Sequence, residues 1–273
     1  MQHRFLVVVP FVLAALFAPA DASAAKFAAG LNSYKVTARP GEVLTHVYQL
    51  TLDKAEKPTL FKFKIEDFWR SEDGLQSYYA TPGTLKKSCG NWVELNPVEA
   101  LAEPGVTLAA RLTINVPADV APGGYWCVLT VDEMPDPLAA SEGVGAKFVA
   151  SVSTGIFIYV DPVERAVEFL DVQVGALEAQ LKLRNDGNAP VAVEGRFEFL
   201  SAEQFGLVAV VPIPRSTLLP EPIAIGTVRA PLPPAATLPP GRYVVRAIID
   251  IGLDHYLGAE REIEVSRDVA SIK

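Results

Sequence analysis

Apolar and polar side chains alternate along this chain in short bursts that stop at turns. Phe61, Phe63 and Ile65 alternate with Lys62, Lys64 and Glu66, and Leu177, Ala179, Leu181 and Leu183 alternate with Glu178, Gln180, Lys182 and Arg184. Val191, Val193, Phe197 and Phe199 extend the second pattern beyond Asn185-Asp186-Gly187. A period of two with one dry face predicts antiparallel strands over a core. The Asn-Asp-Gly phrase supplies residues that tolerate positive φ, as a tight turn requires. The same reading predicts strands on either side of residues 53–58, and over 108–116, 125–132, 148–160, 167–174, 242–251 and 260–265. His46 falls in register with Leu44, Tyr48 and Leu50 and is expected half-buried against the core. Prolines interrupt Val211-Pro212-Ile213-Pro214 and Ala230-Pro231-Leu232-Pro233-Pro234, marking loops or sheet edges, because proline donates no ladder hydrogen bond. No stretch after the first two dozen residues keeps a helical period beyond about two turns.

One unit occurs twice. Pro122-Gly123-Gly124-Tyr125 and Pro240-Gly241-Arg242-Tyr243 each open a strand, and each is preceded by a strand–turn–strand pair. A repeated β unit predicts an all-β chain of two tandem sandwich domains. The first would occupy residues 25–161 and the second 162–273. Asp161-Pro162-Val163-Glu164-Arg165 would form a linker short enough to restrict the angle between them.

Residues 1–24 read as a secretory signal peptide: one basic side chain at Arg4, an apolar run from Phe5 to Phe17, then small residues ending Ala22-Ser23-Ala24. The run falls short of the roughly 20 residues that span a bilayer and contains Pro10, so cleavage after Ala24 is expected, leaving no integral membrane segment. The net charge of -8, without a basic run, argues against nucleic acid and anionic membranes as partners. In an oxidising compartment the two cysteines, Cys89 and Cys127, are expected to form a disulfide, worth roughly 4 kcal/mol by loop closure.

Little chemistry is in view, and an enzyme is not expected. After signal removal only His46 and His255 remain, too few for a histidine-based triad or a His-rich metal site, and no cofactor is implied. Glu66, Asp67, Glu72 and Asp73 near Trp69 fit a strand face and turn better than a glycosidase pair or a calcium site. Trp69, Tyr78 and Tyr79 leave open a second function, a glycan-binding or adhesion module that stacks on sugar. Trp92 and Trp126 are expected to pack in the core.

Taken in order, these features resemble the periplasmic pilus-assembly chaperones and their immunoglobulin-like relatives. The likeness rests on the signal peptide, the opening strand Lys35-Val36-Thr37-Ala38-Arg39-Pro40-Gly41, the two sandwiches, and Gly155-Ile156-Phe157-Ile158-Tyr159-Val160-Asp161-Pro162 before the second. The resemblance implies immunoglobulin-like domains and a periplasmic, non-catalytic protein. Its exit strand would present alternate apolar side chains to an incomplete pilin-like subunit by strand addition. Phe148, Ala150, Val152, Ile156 and Ile158 would occupy those positions, after a loop over 133–145. It further implies that the client's C-terminal carboxylate is held by two cations. Lys35 or Arg39 would stand for the first; Gly155 and Ile156 lie where the second, a lysine, would be.

Overall fold

The computed structural model describes residues 24–30, 33–79, 81–135, 149–175, 177–232 and 238–265. Almost all of the signal peptide, most of the expected loop over 133–145, and Phe148 of the expected partner-binding strand lie outside the described residues. The described residues form seventeen strands in two sandwiches and contain no α-helix, only a 3-10 turn at Gly90–Trp92.

In the first sandwich, β1 (Phe27–Ala29), β3 (Val43–Leu52), β8 (Thr107–Asn115) and β6 (Val93–Asn96) make one sheet in that order. The facing sheet runs β2 (Ser33–Thr37), β10 (Ser151–Val160), β9 (Gly123–Glu133), β4 (Thr59–Arg70), β5 (Gln76–Tyr79), with β7 (Glu99–Ala102) on the opening half of β4. Inward residues at every second position meet between the sheets: Leu50 and Leu52, Phe61 and Phe63, Leu112 and Ile114, Cys127, Leu129 and Val131. Cys127 is joined to Cys89 across 38 positions, with Cα atoms 5.3 Å apart. His46 is half-buried and stacks on Tyr34 at 4.3 Å between centroids, and burial lowers its pKa.

The second sandwich packs a sheet of β11 (Val167–Val174), β12 (Glu178–Asn185) and β15 (Ile225–Pro231) on one of β14 (Leu207–Leu218), β13 (Val191–Ser201), β16 (Gly241–Asp250) and β17 (Leu257–Val265). Leu181, Leu183, Phe197, Phe199, Val245 and Ile249 fill its core. β14 carries the Pro212 and Pro214 phrase and is an edge strand, as proline demands.

The duplicated phrase has a physical basis. Tyr125 Oη donates to Ala121 O at 2.9 Å, and Tyr243 Oη donates to Pro239 O at 2.6 Å. Each phenol ties the incoming chain to the start of its strand, the corner device of immunoglobulin-like sandwiches.

The turn 185–190 differs from expectation in how it is held. Gly187 is not in the left-handed region. Instead the buried Asn185 side chain accepts from Gly187 N at 3.0 Å and donates to Ala189 O and Leu218 O at 2.9 and 3.1 Å. This turn also clasps the linker: Glu164 N donates to Asn188 Oδ1, and Asn188 Nδ2 donates to Pro162 O. Gly124 N donates to Asn188 O at 3.0 Å, and a Cβ at Gly124 would collide with Ala189 and Pro190, so glycine lets the two sandwiches approach. A small apolar cluster of Phe68, Trp126, Val128, Phe157 and Leu219 seals the contact, and Trp126 Nε1 donates to Phe68 O at 2.8 Å. From β4, Arg70 donates to Ser216 Oγ at 3.0 Å, and in the following turn Glu72 O accepts from Thr227 N.

Candidate functional site

β10 has two unlike halves. Along its whole length it pairs antiparallel with β9, from Ser151↔Asp132 to Val160↔Gly123. On the other side β2 covers it in parallel only from Gly155↔Ser33 to Tyr159↔Thr37. Among the described residues, Ser151 to Ser153 therefore have a strand on one side only. An open row of backbone groups is a template for a further strand.

The side chains divide at the same place. Ile156 and Ile158 are fully buried in the first core, opposite Cys127 and Tyr125. They were expected to face a partner; the alternation instead turns them into the sandwich and β2 covers their edge, so they do not present themselves in this monomer. Val152 lies half-buried opposite Val131, Ala150 is half-buried just before β10, and Val149 is 47% exposed. Within the described residues, the accessible apolar positions of the expected set are thus Ala150 and Val152.

Beside the covered half, a cleft of about 390 Å³ opens where the sandwiches meet, lined by Ser33, Lys35, Arg70, Gln76, Ser153, Gly155, Phe157 and Arg215 among others. An adjoining hollow of about 290 Å³ shares Lys35 and Arg215. Lys35 stands on β2 opposite Phe157, its Nζ 5.6 Å from that ring's centroid. Burial, and secondarily the like charge of Arg215, hold its ammonium below the ordinary lysine value. Arg70 is lowered by burial. Among the described residues neither Lys35 nor Arg70 has a carboxylate within ion-pair reach, and Arg215 has only Glu194 at 3.8 Å. Three cations with so little counter-charge favour an anion.

Arg39 lies apart from this group. It follows β2 in a turn, where its backbone N donates to Glu42 Oε2 at 2.8 Å, and it lines neither hollow. Arg70 and Arg215 were missed in the sequence because they come from β4 and β14, and nothing local marks either as facing the other. Gly155 does line the cleft, and a Cβ there would meet the Phe157 ring at 2.7 Å. No side chain at that position can supply a cation without moving the ring.

The aromatic set does not converge. Trp69 pairs opposite Ser77 and shares its sheet face with Tyr79, whereas Tyr78, opposite Phe68, lies on the other face with Gln76. The carboxylates near Trp69 are each engaged separately. Buried Asp67 accepts from Leu85 N at 2.8 Å, Gly83 N at 3.2 Å and the Ser88 hydroxyl, shaping the following loop. Glu66 pairs with Lys64 at 3.3 Å, Glu72 with Lys182, and Asp73 accepts from Ser71. The described residues hold no group of three or more His, Cys, Asp or Glu that could bind a metal, and no helix long and apolar enough to cross a membrane.

No family model matches this chain, and no curated protein matches it. Among solved structures, it is similar to a chain from a chaperone–tip adhesin complex in CFA/I fimbriae biogenesis, at 10% identity and TM-score 0.50, covering 87% of this chain and 98% of that one. It is also similar to the class 5 fimbriae chaperone CfaA, at 11% identity and TM-score 0.48, covering 86% and 99%. The Pseudomonas aeruginosa CupB2 chaperone matches at 12% identity and TM-score 0.45, covering 86% and 98%. At 10% identity, the first of these likenesses establishes a shared fold alone.

Proposed function

We propose that this is an exported, non-catalytic chaperone-like protein that takes an extended segment of another exported protein onto the open half of β10. The uneven pairing of that strand carries the reading: β9 and β2 bracket residues 155–159, while among the described residues Ser151 to Ser153 pair on one side alone. A partner strand laid there would continue the line of β2 along the sheet and meet Val152, Ala150 and the exposed Val149. The fold shared with a chain of a chaperone–tip adhesin complex supports a pilin-like subunit as the partner. The domain division belongs to the same proposal: a leader to Ala24, a first sandwich over 25–161 that carries the strand, and a second over 162–273. The protein works in the periplasm.

The cleft cations fit the end of such a segment. A chain laid along β10 toward Gly155 would bring its terminal carboxylate beside Lys35, with Arg70 and Arg215 completing a positive rim. Arg70 and Arg215 take the place of a cation on the exit strand. A charge-assisted hydrogen bond of this kind is worth roughly 1.5 to 3 kcal/mol.

The test is recovery of bound protein from periplasm, identified by mass spectrometry. The reading expects a surface-structure subunit with the wild type and its loss in V152D. Equal recovery with V152D, in a variant that melts normally, rejects strand addition at this edge.

A further inference from the structure

We infer that removal of the leader creates an ion pair that fastens the root of β10. Hydrolysis of the Ala24–Ala25 peptide bond by an export protease adds one water. The carbonyl carbon of Ala24 leaves as a carboxylate, and the Ala25 nitrogen takes up protons to become an α-ammonium. That nitrogen lies 3.0 Å from Glu133 Oε2, where as a backbone amide it is a neutral donor. The same carboxylate oxygen accepts from Ala150 N at 2.9 Å, and Glu133 N donates to Ala150 O at 2.9 Å. Glu133, the last residue of β9, thus holds the residue just before β10 by both main chain and side chain, and cleavage places a positive charge on the third member of the group.

The position of Ala25 does not need the leader. Its methyl packs on the first core, Asp53 N donates to Lys26 O at 2.9 Å, and the Phe27 ring meets Phe61 edge-on at 4.9 Å. The other nearby charges are committed or turned away. Asp132 pairs with Lys64 at 3.0 Å, Asp53 Oδ1 accepts from Ala55 N at 2.8 Å, and Lys26 is exposed. Glu133 has no ion-pair partner among the described residues, so the new ammonium meets a carboxylate free to take it. Charge-assisted bonds are roughly twice as strong as neutral ones. Export would thereby stiffen the start of the open edge only after the leader has gone.

The inference rests on the export reading and is independent of any client. Wild type and E133Q are isolated from periplasm, their first residue is fixed by intact mass, and the α-amine is titrated by pH-dependent acetylation in the native and urea-unfolded protein. Expected is a chain beginning at Ala25 whose native amine titrates about one pH unit above its unfolded value, the difference collapsing in E133Q. Amide exchange at Ala150 to Val152 should quicken several-fold in E133Q. It should do the same in wild type acetylated at the α-amine, which keeps the test decisive if E133Q folds poorly. A chain still beginning at Met1 contradicts export and the ion pair together. A chain beginning elsewhere, an amine that titrates alike in native and unfolded protein, or exchange indifferent to acetylation overturns the ion pair alone.

Discussion

The two halves of β10 are one continuous strand with the same inner neighbour, yet they differ in what lies outside them. From Gly155 to Tyr159 the edge is closed by β2 and the inward isoleucines belong to the core. From Ser151 to Ser153 the edge has β9 alone among the described residues, and apolar exposure rises toward Val149. Burial therefore does not follow from alternation by itself. The same period of two builds a core where a second strand completes the sheet, and leaves a pairing surface where it does not.

Charge placed in each half separates them most sharply. I156D buries an unpaired carboxylate in the first core and should cost roughly 4 to 5 kcal/mol or more, seen as loss of the folded first sandwich in urea melts. V152D should cost about 1 kcal/mol while abolishing partner recovery. If both variants melt alike, the two halves are not distinct. Replacing Cys89 and Cys127 by Ala should lower stability by roughly 4 kcal/mol through the 38-position loop they close. Partner recovery at a temperature where the variant remains folded should be unchanged.

The cleft beside the closed half gives a smaller effect. K35A should weaken capture of a peptide ending in a free carboxylate by roughly 10- to 150-fold, the equivalent of about 1.5 to 3 kcal/mol, and should leave an amidated peptide unaffected. Because Lys35 titrates below the ordinary lysine value, affinity for the free carboxylate should fall as pH rises through that lowered value, and K35R should move the fall upward. Affinities measured by fluorescence anisotropy across pH would show it.

The smallest effect belongs to His46. Its native pKa lies below the unfolded value, so the unfolded chain binds more protons between the two, and stability declines as pH drops through that interval. H46Q should flatten this part of the stability–pH curve relative to wild type. An unchanged curve would mean that burial at this site does not disfavour the imidazolium.

Much of the fold was legible because its strands are half-wet. Phe61 to Ile65 and Leu177 to Leu183 alternate cleanly, and the structure puts β4 and β12 there. β5 left no such trace: Gln76, Ser77, Tyr78 and Tyr79 are all exposed, and a strand with no dry face has no pattern to read. β14 was hidden by its prolines, which mark an edge without saying whether a strand runs along it. The site was less legible for a geometric reason. Ile156 and Ile158 follow the same alternation in sequence as Ala150 and Val152, and what divides them is the described pairing with β2, which runs from Gly155 to Tyr159. The cationic cleft needs Arg70 and Arg215 from different sandwiches, a meeting set by the linker clasp at Asn188 and the cluster around Trp126.

Amide hydrogen exchange across residues 149–160, with and without the subunit captured from periplasm, tests the central claim most directly. Strand addition to the open half predicts that protection is gained from Val149 to Thr154 while Gly155 to Val160, already bracketed by β9 and β2, stay as slow as before. Protection gained elsewhere with residues 149–154 unchanged would contradict it.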